Sequence, residues 1–343
     1  MRSDEASERT AGERAEQELR TPAGLRRIVA CFDGSEFGER VLPHALAMAK
    51  GLGSPLSLLR VLEGGGPGAA PLDPLDWNLH REEARSYLEG LVEPDERAGG
   101  VIEAEVIEGP AAEQICLWAR HHDVDLTVLC THGVSGQTEW SLASTARKLV
   151  DRVPGSILLV PATAAPGERI ARYRRILVPL DGSARAESVL PLAARLAAAH
   201  DAELLLAHVV PAPELTEIGP LDAEDLELRE RLLRRNERVA NEYLDRLRAR
   251  LAAGDFSLRV LVLRGGDARS RLARLIADEA VDLVILSAHG RSGHSDVPLG
   301  SVTAYLITHA ATPTLVVRSR SDSARRVAAK AVQGVRLPSQ ATP

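Results

Sequence analysis

Two short runs of residues in this chain have the types and spacing to handle a charged ligand. The first is Asp-Gly-Ser, at 33–35 and again at 181–183, each time closing an apolar run ("RIVACF", "RILVPL"). The second is the stretch "VDLVILSAHGRSGHSDVPLGS" (281–301), whose counterpart near residue 124 reads "VDLTVLCTHGVSGQTEWSLAS". In the later copy Gly300-Ser301 stands where a helical pattern, "SVTAYLITHA", begins. The unpaired N–H groups and the dipole at a helix start attract anions, and phosphate is the commonest. Glycine lets the backbone approach oxygen closely, and Ser301 adds a hydroxyl donor or an N-cap. Asp181 is itself negative, so its expected partners are donors of an adenine or ribose, or a Mg²⁺ bridging to phosphates. A G-x-x-x-x-G-K-[ST] loop is missing from the sequence, which removes the lysine cradle of a hydrolysed phosphate, and no Rossmann fingerprint follows the first strand.

The elements that must position these residues are written twice. "RRIVACFDGSEFGERVLPHALAMAKGLGSPLSLLRVL" (26–62) lies over "RRILVPLDGSARAESVLPLAARLAAAHDAELLLAHVV" (174–210) without a gap, and "VDLTVLCTHG" (124–133) lies over "VDLVILSAHG" (281–290). Repeats of this length are whole domains. Each copy opens on an unbroken apolar run, as for a strand covered on both faces. A helical pattern follows: Val41, Leu42, Ala45, Leu46 and Ala49, or Val189, Leu190, Ala193, Leu196 and Ala197. Further strands are expected at "PLSLLRVL" and "ELLLAHVV", "VIEAEVI" and "FSLRVLVL", and finally "SILLVP" and "PTLVVR". Copy two also carries a long charged helix over about 222–252, with Asp222 as N-cap and Gly254 beyond its end. Strands alternating with helices predict a parallel, doubly wound sheet in each copy. Ligands bind such sheets beyond the carboxyl ends of the strands, where strand order reverses. Asp181 and the 287–300 loop share one crevice if their strands are neighbours.

The expected organisation is a flexible segment 1–23, a first domain 24–161, a linker 162–172, a second domain 173–318 and a flexible basic tail 319–343. The 343 residues suffice for two full cores. The composition is 45% hydrophobic but only 3% aromatic, so Val, Leu, Ile and Ala must build those cores. A net charge of −6 argues against a general nucleic-acid or anionic-membrane binder. Cys31, Cys116 and Cys130 are scattered without a C-x-x-C pair, which fits a reducing cytoplasm better than disulfides or a metal site. No apolar stretch approaches the ~18 residues of a membrane span. The acidic N-terminal stretch lacks the apolar core of a signal peptide, so a cytoplasmic location is expected.

Asp-Gly-Ser ending the first strand, "LLLAHVV" as the second and "SAHGRSG…GSV" after the fourth resemble the universal stress protein family. The resemblance covers roughly 24–161 and 172–318, as a tandem two-domain member. It implies two tandem doubly wound, five-stranded parallel-sheet α/β domains of the adenine nucleotide alpha hydrolase-like, HUP-type class. It also implies a role in stress survival and, in one branch, ATP binding marked by G-x2-G-x9-G-[ST]. That pattern falls on Ser287, Gly290, Gly300 and Ser301, with Ser in place of the first Gly. In the first copy it falls on Cys130, Gly133, Ala143 and Ser144, with two departures and Glu139 inside the loop. A Cβ at Ala143 is expected to take room, and a favourable φ, from the helix start.

By the resemblance, nucleotide would meet Pro179, Leu180 and Asp181, and Val209 would offer backbone to adenine. Ser287, Gly290, Arg291, Gly293, Gly300, Ser301 and Val302 would hold the phosphates. The weaker first-domain set is Asp33, Val61, Gly133, Gly136 and Ser144. The expected cofactor is ATP, with Mg²⁺ near Asp181 as its companion. ATP acts as a regulatory ligand in the leading reading; the alternatives are an interaction module that binds no nucleotide and a slow ATPase. Expected partners are adenine nucleotide and an unidentified protein, without nucleic acid or membrane. No catalytic pair stands out beyond Asp181 and His289. His132 and His289 read as structural, His208 as interior, and Arg291 equally as a phosphate contact or a solvated loop cation. Glu39 and Glu187 suit the positive end of a helix. The long helix reads as a solvated face. The strands "SILLVP" and "PTLVVR" would be open edges, and the resemblance pairs them between domains, one chain mimicking a dimer. The chain is then a pseudo-dimeric monomer or a homodimer.

Overall fold

The computed structural model describes residues 25–64, 73–92, 102–132, 142–163, 169–213, 222–291 and 299–318. Gly133, Gly136, Glu139 and Gly293 lie outside them, as do the two terminal segments.

The first copy supplies β1 (Ile28–Phe32), α1 (Glu36–Glu39), α2 (Val41–Leu52), β2 (Leu56–Leu62), α3 (Pro74–Gly90), β3 (Ile102–Glu108), α4 (Ala111–His121), β4 (Leu126–Cys130), α5 (Ser144–Arg152) and β5 (Ser156–Val160). The second repeats the order with β6 (Arg175–Pro179), α6 (Ala184–Glu187), α7 (Leu190–His200), β7 (Glu203–Val210), α8 (Ala223–Leu251), β8 (Leu258–Arg264), α9 (Ala268–Asp278), β9 (Leu283–Ser287), α10 (Ser301–His309) and β10 (Thr314–Val317). All ten strands form one sheet, in the order β3-β2-β1-β4-β5-β10-β9-β6-β7-β8. Neighbours are parallel except at the seam, where β10 runs antiparallel to β5 with Leu315 opposite Leu158. The expected inter-domain edge pairing is therefore present.

Each strand feeds two cores because its side chains alternate. Ile28, Ala30 and Phe32 join a core that runs through both copies and includes Leu46, Tyr173, Leu196 and Leu283. Val29 faces the opposite layer with Ile115, Leu149 and Val316, while Leu177, Leu205 and Leu306 fill its second-copy equivalent. Helices α2 and α7 meet across the copies at Gly51, where an added Cβ would stand 3.3 Å from both Leu196 and His200. The long helix starts as expected, Asp222 capping it in a reciprocal box with Asp225. It is not solvated all round: Ala240, Leu244, Leu247 and Leu251 are buried, whereas Leu226 and Leu228 near its start are exposed. Among the described residues no helix is long and apolar enough to cross a membrane.

Candidate functional site

In each copy the strand order reverses beside the first strand, so β1 lies between β2 and β4, and β6 between β7 and β9. Asp33 and Asp181 follow the ends of β1 and β6, and a cavity opens beyond each pair of strand ends. The second cavity measures about 340 Å³, within the range of small-molecule sites. Pro179, Leu180, Asp181, Val209, Ser287, Gly290, Arg291, Gly300, Ser301 and Val302 all line it. The first, about 500 Å³, is lined by Asp33, Val61 and Ser144, and also by Arg60, Glu63 and the apolar Ile115, Leu129 and Leu149.

Asp181 fastens the second site together. Its Oδ1 accepts from the Ser183 N–H (3.0 Å) and hydroxyl (2.6 Å), and its Oδ2 accepts from the Arg291 N–H (2.5 Å). One carboxylate thus ties the turn after β6 to the loop after β9. Burial pulls its pKa upward, but the Ser183 hydroxyl and the two backbone donors outweigh that and hold it below its ordinary value. Gly290 is glycine for this reason: a Cβ there would run into Asp181 Oδ2. Gly182 is glycine because its φ is +80°, in the left-handed region.

Val209 is positioned by strand parity. Ala207 O accepts from Leu180 N (2.8 Å), and Val210 O accepts from Gly265 N (2.9 Å) on the other side. Successive residues of a strand turn their backbone groups to alternate sides. Val209 therefore aims its N–H and C=O at the β6 side, and β6 has already ended at Pro179, paired with Ala207. Val61 is placed alike, since Leu62 O accepts from Gly109 N and β1 ends at Phe32, paired with Arg60.

The helix start differs from expectation in two respects. Gly300, not Ser301, is the N-cap, and Ser301 is the first helical residue and exposed. Ala143 occupies the same place with φ −54° and ψ 153°, against −67° and 160° at Gly300. A Cβ at Gly300 would meet its nearest neighbours at 3.6 Å, an ordinary contact. The alanine therefore costs the first copy no backbone strain, and glycine there is not demanded by the fold.

The remaining polar residues also move from their expected roles. His208 is half-buried and lines the cavity rather than filling the interior. Its Nδ1 stands 2.8 Å from Leu180 O, which requires the proton on Nδ1, and its ring meets Tyr243 of α8 edge-on. Glu187, at the end of four-residue α6, pairs with Arg250 of α8 (2.8 Å), and Glu39 accepts from the Tyr87 hydroxyl of α3 (3.2 Å). Both acids thus bind the crossover helix as well as sitting near a helix start. His132 lines the first cavity with Nδ1 3.0 Å from Thr131 Oγ1, a side-chain partner rather than a backbone one. The carbonyl of His289 accepts from the Ser287 hydroxyl (2.7 Å), closing the turn into the loop. Among the described residues no group of three or more His, Cys, Asp or Glu is arranged to hold a metal.

Sequence reasoning passed over Arg60. The gapless pairing of the copies sets it opposite His208, and the structure places it against the turn after Asp33. That mismatch was the available signal.

Known proteins give the frame for these cavities. The model of the universal stress protein family matches residues 24–161 and 172–318. Universal stress protein Slr1230 of Synechocystis sp. is 22% identical over 316 residues, covering 86% of this chain and 100% of that protein. Universal stress protein MJ0577 of Methanocaldococcus jannaschii is 24% identical over 159 residues, 44% of this chain and 98% of its own length. Among solved structures, protein PA1789 of Pseudomonas aeruginosa PAO1, described as functionally unknown, superposes with a TM-score of 0.62 at 14% identity, covering 89% of this chain and 98% of its own. A universal stress protein from Archaeoglobus fulgidus gives 0.59 at 15% identity over 85% of this chain and 98% of its own, a likeness of fold. With two family matches that take in both cavities and every strand, the chain belongs to the universal stress protein family, as a tandem member.

Proposed function

We propose that this chain is a stress-response protein that binds ATP in its second cavity and uses it as a regulatory ligand. The observation that carries the reading is the pairing, across one cleft, of Val209's outward backbone edge with the Gly300–Ser301 helix start. A backbone N–H and C=O side by side suit the N1 and N6 positions of adenine, and a helix start suits phosphate. Asp181 lines the same cavity, and the spare lone pairs of its oxygens suit ribose hydroxyls. A Mg²⁺ ion would have Asp181 and the phosphates as its ligands.

A regulatory role is favoured over turnover by the state of the titratable groups. Asp181 accepts three hydrogen bonds and has a lowered pKa, which makes it a poor base. His208 commits Nδ1 to Leu180 O. Helix α8 is the element placed to read occupancy, because Tyr243 meets His208 and Arg250 meets Glu187.

The test is to purify the chain without added nucleotide, denature it and quantify released adenine nucleotide by chromatography. About one ATP per chain is expected from the helix-start site, lost in Gly300→Asp and kept in Ala143→Asp. A chain that holds none even after incubation with ATP and Mg²⁺ overturns the reading in favour of an interaction module.

A further inference from the structure

The two cavities descend from one repeated sequence, and of the differences between them one bears on what they accept. Size is not the exclusion, since the first is the larger, at about 500 Å³ against about 340 Å³. The Ala143 helix start is not strained either, for it adopts the same backbone region as Gly300, whose environment tolerates a Cβ. What differs is the space over the Asp-Gly-Ser turn.

Gly34 and Gly182 have the same φ of +80° and the same turn around them. A Cβ built on Gly182 meets nothing within 4 Å among the described residues, whereas one on Gly34 would stand 2.6 Å from Arg60 Nη2 and 2.9 Å from Arg60 Cζ. The guanidinium is held there by the face of Tyr87, 5.1 Å from the ring centroid, a favourable cation–π arrangement. At the matching position His208 folds back onto Leu180 O instead of lying over the turn. Asp33 Oδ1 also lies only 2.5 Å from where a Cβ on Gly38 would stand, a position that Ala186 holds in the second copy.

We infer that Arg60 is the residue that makes the two sites unequal: its guanidinium occupies the approach to Asp33 and bars adenine nucleotide from the first cavity. The inference rests on the proposed function for its ligand but not on the second site being functional. A cation parked on the turn excludes the sugar sterically.

The experiment is equilibrium dialysis of the full chain with labelled ATP, for wild type, Arg60→His, Ala143→Gly and Arg60→His combined with Gly300→Asp. Arg60→His installs the residue the second copy already uses, and Arg60→Gln, which keeps part of the stem over Tyr87, repeats the test should histidine disturb the fold. The expected result is one nucleotide in wild type and Ala143→Gly, two in Arg60→His, and one in the double variant. A double variant that binds none, or a second nucleotide gained by Ala143→Gly alone, overturns the inference. A wild type that binds none while Arg60→His gains one refutes the functional reading of the second cavity and upholds the role of Arg60.

Discussion

Gly290 and Gly300 look interchangeable as loop glycines, yet the structure separates them. A side chain at 290 displaces the Asp181 carboxylate that holds the loop, while one at 300 meets only ordinary contacts. Gly290→Ala is expected to lower stability by about 1–3 kcal/mol, the usual cost of forcing a group into occupied space. Gly300→Ala should stay within about 1 kcal/mol of wild type, the cost of a poorer N-cap. Urea unfolding of the two variants makes the comparison, and equal losses would refute it. Of the site, Asp181 was legible because Asp-Gly-Ser is written twice, whereas Ser287 and Gly300, whose first-copy counterparts are Cys130 and Ala143, were marked only by the family pattern. The Asp181–Arg291 hydrogen bond was not, since it joins residues 110 apart in the chain and depends on where a loop folds back. Arg60 escaped for another reason: its effect arises from where a flexible side chain comes to rest.

Among the elements, α8 does two different jobs along its length. Its C-terminal half packs Leu244 and Leu247 into the shared core, and its N-terminal half carries exposed Leu226 over i,i+4 pairs such as Glu230–Arg234 (2.9 Å). Leu244→Ala is expected to cost about 2–5 kcal/mol, whereas Leu226→Ala should fall within about 0.5 kcal/mol of zero. Similar losses in chemical denaturation would show that the exposed half packs too. The helix was legible from its charge pattern and cap, and the buried side was written in the i, i+3, i+7 spacing of Leu244, Leu247 and Leu251, which the surrounding charges masked. At the α2–α7 contact, His44 lies 3.0 Å from the Tyr173 hydroxyl, and His200 meets the same ring edge-on. Burial lowers the His44 pKa from 6.5 to about 4. The folded chain therefore binds fewer protons there than the unfolded one. Stability is full above pH 6.5, declines as pH falls toward 4, and levels off below. A stability–pH curve measured for His44→Gln should lose that slope; an unchanged slope assigns it to other groups.

Across the whole molecule, the seam is what turns two domains into one body. Beside the β5–β10 pairing, the buried Arg318 donates to the carbonyls of Val150 and Val153, so a cation from the end of the second copy caps a helix of the first. Arg318→Ala leaves those carbonyls poorly satisfied and should cost about 1–3 kcal/mol. Calorimetry should then show the two copies parting into separate transitions, while one unsplit transition would mean that the seam strands suffice alone. Two tandem sheets were legible from the repeat and the continuous sheet from the family resemblance, but Arg318 has no counterpart in the first copy, where proline stands at 161. The reversal of direction at the seam reaches as far as the cavities themselves. Because β1 and β4 run with β5 while β6 and β9 run with β10, the two mouths look out from opposite poles of the molecule. No single small molecule can bridge them. The physical connection between the two ends runs through the seam strands, the core shared by both copies and the α2–α7 contact.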